Sequence, residues 1–236
     1  MKIEILFPEF CNLFGDSANA MFLKKNLKNA KFYNTSINDV PKFINENIDL
    51  IYLGSSSENH QEAIIKALSK YKKELVNYIE NNKIIIATGN SFEIFGKYIL
   101  QDDKKIKGLE IFDYYSKRDL NHRHNSLFLG LFEGIKIIGN KSSFSFTYAS
   151  KNYSFISKIK GYGLNKEDNN EGIRYKNFYG TYLLGPFLII NPYFTKYIFK
   201  LLGYNKNLVF EKEIIDAYNY KLKEFEDDKT IFESLH

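Results

Sequence analysis

The chain opens with a short apolar run, Ile3-Glu4-Ile5-Leu6-Phe7, closed by Pro8, the pattern of a β-strand that feeds a loop. Gly15 and Asp16 follow. Asp16 is expected to N-cap a helix from about Ser17 to Asn29 that buries Met21, Phe22 and Leu27. Residues 31–34 predict a second strand and residues 49–53 a third, which ends in Gly54 and the serines 55 to 57. Ile64, Ala67, Leu68, Tyr71, Leu75 and Tyr78 recur at helical spacing and predict one long helix from about Asn59 to Asn81. Ile84-Ile85-Ile86-Ala87 is continuously apolar, as expected of a central strand covered on both faces. It leads through Thr88 and Gly89 into a short helix expected to end near Tyr98. Strands alternating with helices imply a parallel sheet with helices on both faces.

The pattern changes after Gly108. Apolar or alternating runs at residues 109–115, 127–131, 135–138, 144–148 and 178–183 are separated by glycines and polar loops. They read as β-rich, hairpin-forming additions to the same sheet. Two helices are expected at about Tyr193–Leu202 and Glu211–Phe225, and residues 226–236 read as a loosely packed tail. No linker, repeat or low-complexity block interrupts the sequence. The expectation is one domain over residues 1–236, an α/β fold of three layers whose mostly parallel sheet is extended by antiparallel strands.

Composition narrows the class without naming an activity. With 236 residues, 44% hydrophobic and 17% aromatic, the chain can bury a large core. No stretch approaches the roughly 18 apolar residues of a membrane helix, and the N-terminus lacks the apolar core of a secretory signal. No membrane insertion and a cytoplasmic location are expected. Cys11 is the sole cysteine, which excludes an internal disulfide and a thiolate metal site, and it reads as a small buried hydrophobe. A net charge of +5, from 33 basic and 28 acidic residues, is too even for a nucleic-acid footprint. Lys117, Arg118, His122, Arg123 and His124 read as a solvated basic loop, and the histidines lack the carboxylate or cysteine spacing of a metal site. No metal and no cofactor are expected. Asp16 and Asn19 read as helix-capping and turn residues.

Four segments, in order, carry a resemblance: Phe7 to Asn19, Asp49 to Gln61, Ala87 to Gly96, and Gly180 to Leu188 continuing to Asn191-Pro192. Together they resemble the CobB/CobQ-like class I glutamine amidotransferases. Within that group the chain is most similar to the glutaminase subunit of lipid II isoglutaminyl synthase, which pairs with a Mur-ligase-like subunit. The resemblance implies a class I amidotransferase-like, flavodoxin-like fold.

It also implies what is missing. An active member places its cysteine at a tight strand-to-helix turn, where a helix N-terminus and a nearby histidine favour the thiolate. Matched without a gap, that position is Gly89; a one-residue shift would make it Thr88. The family's general-base histidine, in Gly-Thr-Tyr-Leu-His-Gly-Pro, falls on Leu184. Its oxyanion-loop glycines fall on Ser55, Ser56 and Ser57, and Glu93 stands where active members carry glutamine. An arginine that holds the substrate carboxylate corresponds to Arg118 or Arg123. Gly161-Tyr162-Gly163 with Glu171-Gly172 resembles a family hairpin, and residues 139–143 hold no equivalent of the family's Glu-Asn-His segment. No catalytic residue is intact on this reading, and Ser55, Ser56, Glu93, Arg118 and Arg123 remain as ligand-binding candidates. The implied function is a catalytically silent subunit or pseudoenzyme beside a Mur-ligase-like or synthetase partner in cell-wall precursor amidation. The alternatives are an enzyme of altered chemistry and a regulator that binds glutamine or another small amino acid.

Overall fold

A computed structural model describes residues 1–151 and 153–234. The first half alternates as the pattern requires: β1 (Lys2–Leu6), α1 (Asp16–Asn26), β2 (Lys31–Thr35), β3 (Leu50–Leu53), α2 (Glu58–Ser69), α3 (Lys72–Glu80) and β4 (Ile84–Thr88). The second half adds β5 (Tyr98–Gln101), β6 (Lys104–Lys107), β7 (Tyr114–Arg118), β8 (His124–Phe132), β9 (Ile135–Ser143), β10 (Ser145–Ala149), β11 (Ser154–Lys160), β12 (Asn170–Tyr175) and β13 (Phe178–Thr181). It closes with α4 (Phe187–Ile190), α5 (Pro192–Leu201), α6 (Glu211–Glu226) and β14 (Glu233–Ser234).

The main sheet runs β14-β8-β11-β12-β13-β4-β3-β1-β2, with β9 paired to β8. Its parallel part is β2-β1-β3-β4-β13, and β12, β11, β8, β9 and β14 extend it antiparallel. Side chains alternate across a strand, so β3 and β4 divide their residues between two cores. Ile51, Leu53, Ile85 and Ala87 pack with Ile64, Leu68, Leu75 and Ile79 of α2 and α3. Leu50, Tyr52, Ile84 and Ile86 pack with Phe22 and Leu23 of α1 and with Leu188, Phe194 and Ile198 of α4 and α5. Burial on both faces explains the uninterrupted apolar runs, at about 1.5–3 kcal/mol for each large side chain removed from water. Tyr218 and Phe225 of α6 cover Leu129 and Ile138 at the antiparallel end.

Five expectations need correction. The runs at 109–115 and 144–148 do not extend the main sheet: with β5 and β6, strands β7 and β10 form a separate four-stranded sheet ordered β10-β7-β5-β6. The long helix is two helices, because Tyr71 leaves helical geometry at φ −118°, ψ 21°. The segment after β4 is a 3₁₀ turn from Gly89 to Phe95, and Tyr98 opens a strand. Helix α1 begins at Asp16 itself, its carboxylate turned into the core, and Met21 is exposed. The tail is pinned over the described residues: β14 pairs with β8, and Phe232 meets Phe225 edge-on at 5.6 Å. Residues 235–236 of that tail lie outside the described residues. Among the described residues no helix is long and apolar enough to cross a membrane.

Candidate functional site

Parallel strands β1, β3, β4 and β13 all end on one sheet edge, and the loops that follow them converge there. β4 passes into Gly89, whose φ of +61° lies in the left-handed region that glycine enters without a Cβ penalty. Ser91 ties this turn down, its hydroxyl donating to the carbonyls of Thr88 (2.8 Å) and Leu53 (3.0 Å). The result is a strand–turn–3₁₀ elbow over residues 87–95. Opposite it stands Leu184, just beyond β13, buried and held by its N–H on the Asn140 carbonyl at 2.9 Å. A β-carbon built on Gly89 would lie 3.4 Å from Leu184 Cδ2 and 2.6 Å from Ser55 Cβ. The space left between Gly89, Ser55, Leu184, Tyr182 and Phe14 is about 10 Å³. That is room for about one water at most.

The serine loop faces the elbow, but the amides of Ser55 and Ser56 are already engaged. The Ser55 N–H donates to the Asp16 carboxylate in a short contact, and the Ser56 N–H donates to Asn90 Oδ1 at 3.1 Å. Asn90 Nδ2 returns a bond to the Ser56 carbonyl at 2.8 Å. Neither amide is free to meet a developing oxyanion.

Asp16 is a junction, not a cap. Its carboxylate accepts from Asn19 Nδ2, the Tyr52 hydroxyl and the Thr88 hydroxyl, each at 3.0 Å, besides the Ser55 amide. Asn19 Oδ1 in turn accepts the Leu188 N–H at 2.8 Å. Both residues are fully buried, which corrects the capping expectation. Burial raises the Asp16 pKa against the opposing pull of these donors. Thr88 spends its hydroxyl within this network, between Asp16 and Tyr52.

Beneath the elbow lies a buried ion pair. Glu93 accepts from the Tyr182 hydroxyl (2.9 Å), Gln61 Nε2 (3.1 Å) and Arg118 Nη2 (3.1 Å). Arg118 also donates to Gln61 Oε1 and, at 3.3 Å, to Gln101 Oε1. It points inward from β7 and is 4% exposed, so the solvated-loop expectation fails for this residue. The cause is register: the alternation of β7 puts Tyr114, Ser116 and Arg118 on the buried face. Arg123 is exposed, stacks over Phe144 at 4.2 Å and donates to Ser142 Oγ at 3.3 Å. Of the two arginines, Arg123 therefore lies beside a residue lining the closed space, and Arg118 is spent on Glu93.

Sequence reasoning missed Asn90 and Lys141. Lys141, 5% exposed on β9, donates to the Gly163 carbonyl and sits 4.8 Å over the Tyr182 ring. Burial lowers its pKa to about 8. It ties the Gly161–Gly163 turn to the site, where Glu171 accepts from Thr181 Oγ1 (2.6 Å) and the Tyr182 N–H (2.8 Å). Burial raises the Glu171 pKa, and the Lys141 charge opposes that shift. A lone lysine in the alternating stretch Gly139 to Ser143 was the available signal. Cys11 is buried as expected, and burial, with the Asp16 charge second, pushes its thiol far above the thiolate range. His122 pairs with Asp119 at 2.7 Å, and His124 stacks on Phe146 at 4.0 Å.

Residues 2–191, which hold the parallel sheet and the elbow at its C-terminal edge, match the family model of the CobB/CobQ-like glutamine amidotransferase domain. The chain belongs to the CobB/CobQ-like glutamine amidotransferase domain family. Two relatives share most of its length. It is 31% identical over 209 residues to the lipid II isoglutaminyl synthase (glutamine-hydrolyzing) subunit GatD of Staphylococcus aureus (strain N315), covering 87% of this chain and 85% of that protein. It is 28% identical over 204 residues to the subunit of the same name from Streptococcus pneumoniae (strain ATCC BAA-255 / R6), covering 81% and 76%. In fold it is similar to a crystal structure of a glutamine amidotransferase, with TM-score 0.57 at 13% identity over 85% of this chain and 98% of that one. A second, from Thermotoga maritima, gives TM-score 0.53 at 9% identity over 97% and 86%.

Proposed function

We propose that this chain is a non-hydrolysing amidotransferase-domain subunit that works through a Mur-ligase-like or synthetase partner in cytoplasmic amidation of a cell-wall precursor. On this reading Gly89 is the vacated nucleophile position and Leu184 the vacated base position. The packing of Leu184 against Gly89 carries the proposal. Neither residue can lose or accept a proton, and the leucine fills the volume that a thiol and an imidazole would share. The alternative match of the nucleophile to Thr88 gains no support, because that hydroxyl contacts Asp16 and Tyr52 inside the protein. The engaged amides of Ser55 and Ser56 support the same reading. A space of about 10 Å³ counts against a bound glutamine or similar amino acid. Ser55, Ser56, Glu93 and Arg118 then serve to hold the edge in shape, which leaves Arg123 as the accessible one of the ligand-binding candidates.

The experiment has two readouts: ammonia release from glutamine and association with the ligase-like subunit of the same cell. The expected result is ammonia at background, with or without that subunit, together with a stoichiometric complex. Turnover abolished by Thr88→Ala would sink the non-hydrolysing reading. Absence of a complex would sink the subunit reading.

A further inference from the structure

The small sheet has an outer face that the site does not use. Its inner face, with Ile99, Ile106 and Tyr114, packs into the core against Phe92 and Phe95. Alternation turns the neighbouring residues outward. β7 and β10 pair Tyr115 with Tyr148 and Lys117 with Phe146. β5 and β6 pair Tyr98 with Lys107 and Leu100 with Lys105. No outward position on these strands is a carboxylate.

The three tyrosines form a ladder. Tyr98 and Tyr115 stack at 5.0 Å, and Tyr115 and Tyr148 at 5.4 Å, each pair within 20° of parallel. Lys105 Nζ lies 3.9 Å from the Tyr98 ring centre, and Lys117 Nζ lies 5.4 Å from that of Tyr148. Rings stacked in this way stand on edge, with their broad faces covered by one another and by the two lysines. A nucleobase or a sugar ring has no open π-face to lie on. What remains presented are ring edges, hydroxyls and ammonium groups, and among the described residues Lys105 and Lys117 make no ion pair. Lys107 pairs with Glu110 at 3.2 Å, and Glu110 is shared with Lys72 at 3.8 Å. Beside Tyr98, Lys105 and Lys107 the face runs into a hollow of about 540 Å³, whose two carboxylates, Glu110 and Asp113, are both paired with lysines.

We infer that this tyrosine–lysine face is a protein-docking surface, and that its occupant is a carboxylate-rich surface of the partner subunit. The outward strand positions carry charge of one sign, Lys105 and Lys117 are without a countercharge among the described residues, and the hollow accepts a protruding side chain. Tyrosine is among the residues that contribute most at protein interfaces, and complementary charge there sets encounter and register. The inference rests on the subunit reading given above.

The test is the affinity of the purified chain for the purified ligase-like subunit, followed against salt concentration. Lys105→Glu/Lys117→Glu alters two exposed side chains, and unchanged circular dichroism and melting will verify its fold. This variant is expected to weaken the complex by about 30-fold or more. Tyr115→Phe/Tyr148→Phe, which keeps the rings and removes the hydroxyls, is expected to weaken it by about fivefold. Association that stays within threefold after charge reversal overturns the surface and leaves the subunit reading standing. Failure of the unaltered chain to associate at low salt overturns the subunit reading and removes this occupant with it. Displacement of the partner by a single-stranded thymidine 24-mer would assign the face to nucleic acid instead.

Discussion

Leu184 closes directly over Gly89: its Cδ2 stands 3.4 Å from the place a Gly89 β-carbon would take. The contact is tight on the other side too, since Ser55 Oγ lies only 2.5 Å from that place. Position 89 is therefore glycine for two reasons, backbone angle and space. A side chain here adopts a left-handed conformation at a cost of about 1–2 kcal/mol and overlaps Ser55 at a cost of about 1–3 kcal/mol. Gly89→Ala is expected to destabilise the chain by about 2–5 kcal/mol, and by about 1–3 kcal/mol less in a Ser55→Gly background. Urea unfolding of the four proteins measures the coupling; equal costs in both backgrounds would show that Ser55 yields freely.

The same geometry governs any attempt to install the reaction. Gly89→Cys alone brings a thiol with no base and no room, so it is expected to release no ammonia from glutamine. Adding Leu184→His and Ser55→Gly supplies both, and slow release is expected, held low because Asn90 still occupies the Ser56 amide. Nucleophile and base act as a unit, so the effects are strongly non-additive. Brisk turnover by Gly89→Cys alone would mean that the remaining machinery is intact.

Arg118 and Glu93 form an ion pair out of water, at 1% and 0% side-chain exposure. Removing one partner strands the other. Arg118→Met is expected to cost about 3–5 kcal/mol in urea unfolding. Adding Glu93→Gln removes the stranded charge while keeping an acceptor for Tyr182, and is expected to recover at least half of the loss. A double variant no more stable than Arg118→Met would place the cost in packing instead of charge.

Lys141 makes stability depend on pH. Burial lowers its folded pKa to about 8, below the usual lysine value of 10.5. Between those values the unfolded chain binds more protons, so stability rises with pH across that window. The full effect is about 3 kcal/mol. In Lys141→Met this contribution is absent. The stability of the unaltered chain relative to the variant should climb from pH 8 to 10.5, and parallel curves in urea midpoints would refute it.

What the sequence disclosed and what it hid follow from the range of the interactions. Residues 84–88 and 192–201 were legible because burial on two faces, or on one helical stripe, writes itself into local pattern. The break at Tyr71 was not, since no glycine or proline marks it and the apolar spacing continues through it. β5 and β6 were missed because Tyr98–Gln101 and Lys104–Lys107 bury little more than Ile99 and Ile106. Asp16 was misread for a deeper reason: its partners Tyr52, Ser55 and Thr88 lie 36 to 72 residues away, and nothing local distinguishes such a carboxylate from a helix cap. The reading of Gly89 and Leu184 as vacated positions could be proposed from sequence, but the closure of the space between them depends on side-chain volumes that only the fold brings together.

The Asp16 junction has a consequence for how this edge moves. Strand ends and the loops beyond them are usually where a sheet frays and where amide protons exchange first. Here one carboxylate holds the amide of Ser55 directly and the amide of Leu188 through Asn19. The segments that follow β1, β3 and β13 and the end of β4 at Thr88 thereby share a single anchor, so loosening one of them strains the others. With its backbone so tied, the edge is expected to exchange its amide protons as slowly as the interior it caps. Whatever rests against it meets a surface already in its final shape and forfeits little disorder in doing so.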